Sequence, residues 1–477
     1  MTPEDITFLQ IGEPWPPEDQ KERLERAINN KKLFRGKHDE VYQDWIRLLR
    51  EDQKATLELI VNFPGAVTKL FSDLLFGEQP KFSAGDDKSA EQTWLEDFIA
   101  ANKLHRANYK AALSQSFRGE AVYKLRLVEG RDRAVVDVIP STIWFPVTDP
   151  DNVTDIQGHV LAWVKTKKAG DKEQKYLFAE IHFPGKIYRR LWLLKDDKIE
   201  SPADLSVFYQ QPPLEEEDTG IDVPLVFAVP NLEIDDSPFG IDDYSECDTL
   251  FQELDIRLAQ ISRVLDKHTD PGMYGPEGET ETDENGNEVF RAGGKYIAVP
   301  EGGTTPGYIV WNAQLEANFK YLEKILEGLY IATDTNAAAF SLMTGGNIPS
   351  GAALKRLLIR PLARTNRKRL FFDDVLKDMI RTAAMLEKAN GRGAPEIQSV
   401  DIEWQDGLPQ DPREAAETEQ IRTGNKPTTS VRSAIRRLDG GTEQSIQNEL
   451  DAIAEDEAVN APPLVTQTNF GTNFGEE

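Results

Sequence analysis

The sequence predicts an α+β fold, and three of its features lead to that prediction. Residues 20–110 carry apolar side chains at helical spacing. Residues 122–229 are instead rich in β-branched and aromatic residues that are bounded by turn residues. Further along, two long amphipathic segments bracket a short stretch of strand character. The chain has 477 residues, which is enough for about three domains or lobes of ~150 residues.

The N-terminal half divides into a helical part and a β-rich part. The segments "QKERLERAINNKKLF" and "LIVNFPGAVTKLFSDLLFG" have helical spacing, and Gly77 and Pro80 end the second pattern. The segments "AVYKLRL", "AVVDVIP", "GHVLAWVKT", "KYLFAEIHF" and "KIYRRLWLL" then have strand character. We therefore expect helices followed by an antiparallel β lobe.

Two apolar stripes predict a pair of long helices. The first consists of Leu250, Leu254, Leu258, Ile261 and Leu265, on one helical face. Ser245 and Asp248 precede it with the spacing of a capping box. The second stripe runs from Leu315 to Leu329 with the rhythm of a helix that packs against other helices. Between them, Asn285-Gly286 indicates a hairpin, so the predicted order is helix, small β module, helix.

A small-residue segment follows the second stripe. The stretch "TDTNAAAFSLMTGGNIPSG", residues 333–351, is rich in glycine and small side chains and predicts a mobile loop. A helix comes next, and we expect Pro361 to kink it. Beyond Pro409 the sequence is strongly polar with helical character, and the last residues repeat Asn-Phe-Gly and are expected to be disordered.

Charge is distributed unevenly along the chain. The formal net charge is −27, and residues 214–288 contain 22 acidic and 3 basic residues, a local net charge of −19. Residues 351–370 contain seven basic residues and no acidic one. Four of the basic residues recur every four positions and form one charged stripe on the predicted helix: Arg356, Arg360, Arg364 and Lys368.

This basic stripe has two interpretations. It could contact phosphates, or it could form ion pairs with the chain's own surplus of acids, which is the favoured interpretation.

The residue pattern indicates no cofactor or metal. The five histidines are scattered singly, Cys247 is the only cysteine, and no nucleotide-binding glycine motif is present. The pairs Asp235-Asp236 and Asp242-Asp243 leave open a Mg²⁺-dependent, carboxylate-based enzyme that processes nucleic acid, although solvated or turn-capping acids are the favoured interpretation. No apolar run approaches the ~18 residues of a membrane span.

Several short motifs, in this order and spacing, resemble the portal proteins of tailed bacteriophages of the siphophage type. The motifs are "LFRGKH" (33–38), "VTKLFSDLLFGEQPKF" (67–82), "VPLVFAVPNLEIDDSPFGIDDYSECDTLFQELDIRLAQI" (223–261), "GNIPSGAALK" (346–355) and "GNKPTTSVRSAIRRLDGG" (424–441). Each motif is weak alone, but together they cover nearly the whole chain.

The resemblance implies a division of the chain into the regions of a portal subunit. These are the wing (1–240 and 351–408), the first stem helix (241–268), the clip (269–312), the second stem helix (313–332), the tunnel loop (333–350), the crown (409–458) and a disordered tail (459–477). In this family, Thr344, Gly345, Gly346 and Asn347 would lie in the loop that faces DNA.

The resemblance also bears on the basic stripe. In a ring, Arg356, Arg360, Arg364 and Lys368 would lie close to acidic segments of neighbouring copies and could fix the register of the contact. A stripe that lined the tunnel would instead make DNA stick and oppose sliding. We therefore expect the stripe to serve chiefly as a subunit interface, with DNA contact as a secondary role.

The resemblance also implies partners and a location. The expected assembly is a ring, usually of twelve copies, at one capsid vertex, with double-stranded DNA in its axial tunnel. A terminase motor, a head–tail adaptor, and capsid and scaffolding proteins would bind the ring, which would be part of the virion and would assemble in the host cytoplasm. The subunit itself would be structural, without enzymatic activity, cofactor or membrane contact.

Overall fold

The computed structural model describes most of the chain. The described residues are 2–42, 60–86, 88–169, 172–269, 273–276, 280–282, 284–286, 288–290, 296–299, 307–308, 315–342, 351–405, 407, 412–424, 426–438 and 443–460. The fold is α+β, as the sequence predicts. The chain forms two compact units, one of Met1–Asn347 with Lys355–Gly407, and the other of Ile348–Leu354 with Leu408–Glu477.

Helices dominate the beginning of the first unit. They are α1 (Lys21–Phe34), α2 (Phe63–Phe76), α3 (Ala90–Asn102) and α4 (Leu104–Arg118). The Asn62 side chain caps α2 by accepting a hydrogen bond from the Gly65 N–H, and Pro64 lies in the first turn, where its missing N–H costs nothing. Helices α2, α3 and α4 share a core with a later helix, and its members include Leu75, Trp94, Phe98, Leu104, Phe372 and Met379.

The predicted β lobe is confirmed. Strand β1 (Lys81–Ser83) pairs with a late strand, and the lobe itself contains β2 (Glu120–Arg126), β3 (Val135–Ile139), β4 (Trp144–Thr148), β5 (Ile156–Ala169), β6 (Lys172–Phe183), β7 (Lys186–Lys195), β8 (Lys198–Ala203), β9 (Glu216–Asp218) and β10 (Val226–Pro230). One sheet has the order β10-β2-β3, and the larger has the order β4-β5-β6-β7-β8, with β9 also paired to β7. All of these pairs are antiparallel.

The predicted order of helix, β module and helix is also confirmed. Helix α5 spans Asp248–Thr269 and α6 spans Leu315–Ala332. The described residues between them include five short strands: β11 (Met273–Pro276), β12 (Thr280–Thr282), β13 (Glu288–Phe290), β14 (Tyr296–Val299) and β15 (Gly307–Tyr308). Strands β12 and β13 form the antiparallel hairpin predicted from Asn285-Gly286, and Gly286 adopts a φ of +82° that favours glycine.

The two apolar stripes are buried only in part. On α5, Leu254 and Ile261 are buried, whereas Leu265 is largely exposed. On α6, Ile325 and Leu329 are buried, whereas Phe319 is exposed. The ends of α5 and α6 near the rest of the unit are therefore packed, and the ends near the β module present apolar side chains to solvent.

The basic segment forms two helices instead of one kinked helix. Helix α7 (Gly351–Leu357) stops at Leu358, and α8 (Ile359–Ala389) follows at once. Pro361 lies in the first turn of α8, where it cannot remove an intrahelical hydrogen bond. Strand β16 (Asp401–Glu403) then pairs antiparallel with β1 and completes the first unit.

The second unit contains three described helices with a small core. They are α9 (Pro412–Thr423), α10 (Val431–Leu438) and α11 (Glu443–Asn460). Ala434, Ile435 and Ile446 are buried among them. The Glu419 carboxylate accepts hydrogen bonds from Arg422 at 3.3 Å and from Arg437 at 2.8 Å, and so links the first two of these helices. The predicted disordered tail, 459–477, lies almost entirely outside the described residues.

Candidate functional site at the base of the helical pair

A buried carboxylate lies where the chain enters α5. Asp243 is 2% exposed, and its oxygens accept hydrogen bonds from the Arg364 guanidinium at 2.7 Å and the Lys368 ammonium at 2.8 Å. Ser116 and Asn231 donate two more, at 2.6 and 2.7 Å. The carboxylate thus joins α8 to α4 and to the segment after β10.

The surrounding charges decide the protonation state of this carboxyl group. Burial by itself would raise the pKa of Asp243, but Lys368, Arg364 and the Ser116 hydroxyl outweigh burial and hold it well below its usual range. Burial lowers the pKa of Lys368 to about 8, although Asp243 opposes that change. Both cations also lie over the Phe71 ring, at 5.2 and 5.5 Å from its centroid, so the pair is enclosed on its apolar side.

A second carboxylate lies where the chain leaves α6. Asp334 accepts a hydrogen bond from Arg367 at 2.7 Å, and it has Arg364 at 3.7 Å and Arg360 at 3.9 Å. Its φ of +54° is left-handed, a conformation that Asp tolerates better than most residues. Because Arg364 contacts both Asp243 and Asp334, one helix holds the start of α5 and the end of α6 together.

The entry to α5 is fixed on a third side by α1. The Arg26 guanidinium bonds to Asp242 at 2.6 Å and to Asp248 at 2.9 Å. The Ser245 hydroxyl donates to Asp242 at 3.1 Å and accepts from Arg26 at 3.2 Å. The predicted capping box at Ser245 is wrong, because α5 begins at Asp248 and its first helical hydrogen bond runs from the Phe251 N–H to the Cys247 carbonyl.

One further buried pair attaches the "LFRGKH" motif to α5. The Nδ1 atom of His38 lies 2.5 Å from an Asp255 oxygen, and both side chains are buried. Two of the motifs that carry the family resemblance, 33–38 and 223–261, are thus in direct contact. The sequence shows both residues but gives no local signal for their contact, because 217 positions separate them.

The four residues of the predicted basic stripe have different environments. Lys368 is buried and Arg364 is mostly buried, and both are bound to Asp243 of their own chain. For these two residues, ion pairing within the chain is the observed role, because the face of α8 that carries them packs against the interior of the unit. Arg356 and Arg360 are exposed, and for them the subunit-interface interpretation stays a prediction. The predicted loop residues Thr344, Gly345, Gly346 and Asn347 lie outside the described residues.

The Mg²⁺ interpretation of Asp242-Asp243 does not fit the geometry. Both carboxylates are already occupied by cationic side chains, Arg26 for the first and Arg364 with Lys368 for the second. Within the described part of the chain, no group of three or more His, Cys, Asp or Glu residues could hold a metal ion. No helix in that part is both long and apolar enough to cross a bilayer.

The comparisons with known proteins concern the whole chain. A family described as "Phage portal protein, SPP1 Gp6-like" matches residues 16–462. No curated protein matches the chain. Among solved structures, the chain is similar to one from the virion of a native gene transfer agent (GTA) particle, with 10% identity, a TM-score of 0.44, and coverage of 90% of this chain and 96% of that chain. It is also similar to one from the neck of an empty GTA particle computed with C6 symmetry, with 11% identity, a TM-score of 0.43 and the same coverage.

The family match extends from before α1 to the end of α11 and includes every contact described at the base of the helical pair. The chain therefore belongs to the SPP1 Gp6-like family of phage portal proteins.

Proposed function

We propose that this portal protein forms a closed ring at one vertex of a phage capsid, and that double-stranded DNA passes through the ring during packaging and ejection. The observation that carries the proposal is the contrast along α5 and α6. Their base is fixed by buried ion pairs, whereas Phe319 and Tyr321 farther out are 44% and 46% exposed. Such apolar side chains need neighbouring helices, which copies of the same chain would supply in a ring.

The charge of the chain supports passage of DNA over tight binding. Most of the excess negative charge lies in 214–288. Helices α5 and α6 each carry a net charge of only −1, so the strongly acidic parts are the segments on either side of α5. Acidic walls formed by these segments would repel phosphates, so a duplex between them would slide without being gripped. The loop with Thr344, Gly345, Gly346 and Asn347 would form the narrowest contact with DNA.

The other partners follow from the proposed ring. A terminase would dock on it and supply the energy for packaging, and a head–tail adaptor would bind after the DNA has entered. Capsid and scaffolding proteins would surround the wing. In this proposal the chain is a structural subunit of the virion that assembles in the host cytoplasm and carries no catalytic site.

Native mass spectrometry with negative-stain imaging tests the ring. Twelve copies of 53.7 kDa would weigh about 640 kDa and should image as rings with a central opening. A protein that stays monomeric across salt and protein concentrations would contradict the proposal.

Shortening the loop tests the DNA channel separately. Shortening the loop by deleting 343–347, which spares Leu342, should leave rings intact but reduce packaging or retention of DNA, because the contact with the duplex is lost. An equal deletion of 467–471 is the matched control and should not change packaging. Normal DNA retention in the loop variant would show that this segment does not contact DNA.

A further inference from the structure

Four large apolar side chains are exposed around the start of α8. Ile331, Leu342, Leu357 and Ile359 are between 43% and 66% exposed. The Asn336 side chain donates a hydrogen bond to the Leu357 carbonyl at 2.5 Å, and the Leu342 N–H donates to the Ala337 carbonyl at 2.9 Å. These bonds hold the segment after α6 against the segment that precedes α8, so exposed apolar side chains of both elements lie at this end of the unit.

Basic side chains border this surface. Arg360 is exposed, and its contact with Asp334 is a long one of 3.9 Å. Arg356 is exposed as well and forms no ion pair with any residue that the structure describes. We call Ile331, Leu342, Arg356, Leu357, Ile359 and Arg360 the basic–apolar patch. Exposed apolar area of this kind, bordered by charge, is typical of a protein interface.

The same unit presents a surface of the complementary kind. Residues 232–236, "LEIDD", are all exposed, and Leu232 and Ile234 are 46% and 38% exposed. The carboxylates of Glu233, Asp235 and Asp236 form no ion pair within the described part of the chain. We call residues 232–236 the acidic–apolar loop. It combines two exposed apolar side chains with negative charge, whereas the patch combines four exposed apolar side chains with positive charge.

The base of the loop is rigid. The Ile241 N–H donates to the Leu232 carbonyl at 2.9 Å, and the Asn231 amide donates to the Ile241 carbonyl at 2.8 Å. Lys368 of α8 also donates to the Asn231 side chain. These bonds fix both ends of the loop to the first unit, so its base holds one position.

Within one chain, the loop reaches the patch only at one edge, where Leu232 and Ile331 line the same pocket. On α8, Arg360 and Ile359 lie eight and nine residues before Lys368, the residue that contacts the base of the loop, which is about 12–14 Å along the helix axis. Both of these residues are exposed, so this part of the patch is open to a second copy.

We propose that the basic–apolar patch binds the acidic–apolar loop 232–236 of a second copy of this chain. The two surfaces are different, so each copy offers one of them to the copy before it and the other to the copy after it. Such a heterologous contact closes into a ring when the rotation between copies is suitable. The inference rests on the proposed ring and names the contact that holds neighbouring subunits in register.

Disulfide cross-linking distinguishes the possible arrangements. The chain's own Cys247 is buried, and burial raises its pKa to about 12, so introduced surface cysteines will react selectively. The variant with Ile234→Cys and Ile359→Cys should give a ladder of covalent oligomers on oxidation. A mixture of the two single variants should give only cross-linked dimers, which is the matched control.

Each outcome of the cross-linking decides between the proposals. A ladder of covalent oligomers supports the contact between copies. A disulfide within one monomer, seen as a change in electrophoretic mobility on reduction, overturns it, because the loop would then reach the patch of its own chain. Rings that are visible by native mass spectrometry but do not cross-link would overturn this inference and leave the proposed ring intact. A wild-type chain that forms no ring would contradict the ring itself.

Charge reversal gives a second test that does not depend on cysteine geometry. Arg356→Glu and Asp235→Lys should each raise the concentration at which rings dissociate, by on the order of tenfold, because like charges would then face each other. The combined variant should restore much of the stability, and Lys69→Glu, a reversal of an exposed lysine on α2, should have little effect. Rings that resist both reversals while DNA retention is lost would show that the patch faces DNA instead of a neighbour.

Discussion

Two buried carboxyl groups of the first unit have opposite surroundings. Asp243 is bound by Arg364, Lys368, Ser116 and Asn231, whereas neither carboxylate oxygen of Glu120 has a hydrogen-bond partner among the described residues, although Glu120 is only 1% exposed. Burial raises the pKa of Glu120 to about 7, and the nearby positive charge of Arg23 opposes this rise only in part. Burial therefore does not set the charge of a carboxyl group; the cations within bonding distance do.

The difference also separates two kinds of structural role. The Asp243 carboxylate connects helices that are far apart in sequence and holds the base of the helical pair in one arrangement. Glu120 begins β2, and its carboxyl group accepts no hydrogen bond from the described residues, so its ionisation costs stability. Three substitutions test this contrast, and we take them in order of the expected effect.

The largest effect is expected for Asp243→Asn. This change keeps the side-chain shape but leaves Lys368 and Arg364 buried without a negative charge, which should lower the free energy of unfolding of the first unit by about 3–5 kcal/mol. Denaturant unfolding monitored by tryptophan fluorescence measures it. Asp132→Asn removes the same charge from an exposed position outside the proposed subunit contact and should change stability by less than about 0.5 kcal/mol. Equal effects of the two variants would mean that the buried pair does not stabilise the base.

The same substitution makes a prediction about acid. The pKa of Asp243 is depressed in the folded state, so its contribution is present above its usual value of 3.8 and is lost as the pH falls below that value. The wild type should therefore lose more stability than Asp243→Asn as the pH falls through this range. Parallel stability curves for the two proteins would contradict the assignment.

An intermediate effect of opposite sign is expected for Glu120→Gln. A carboxyl group whose pKa rises from 4.5 to about 7 on folding opposes folding once the unfolded chain ionises, so wild-type stability should fall as the pH rises between these values. The amide cannot ionise, and the variant should gain up to about 3 kcal/mol over the wild type between pH 4.5 and pH 8. The measurement is the free energy of unfolding against pH for the wild type and for Glu120→Gln. Identical slopes would show that Glu120 ionises in the folded protein at its usual pH.

Local signals predicted much of the fold, because they depend on neighbours in sequence. The paired helices α5 and α6, the hairpin at Asn285-Gly286 and the antiparallel lobe all follow from spacing or turn chemistry over a few residues. The basic stripe was also visible, but its environment was not. Whether Lys368 faces solvent, DNA or Asp243 depends on a contact across 125 positions, which periodicity does not encode. Glu120 was missed for the same reason, since a buried glutamate at the start of a strand has the same local pattern as an exposed one.

The smallest effect is expected for Asp334→Asn. The Asp334 carboxylate is paired with cations, as Asp243 is, but it is less buried than Asp243. Asp334 is partly exposed and faces three arginines, of which Arg360 and Arg367 are themselves largely exposed, so solvent screens these pairs. Asn keeps the left-handed backbone conformation that this position adopts, so only the charge is lost. We expect a loss of no more than about 1 kcal/mol, further reduced at high salt, because exposed ion pairs are weak. The same unfolding measurement at low and high salt checks this. A loss as large as that of Asp243→Asn would mean that the exit from α6 is held as tightly as the entry to α5, and that Arg364 depends on both carboxylates equally.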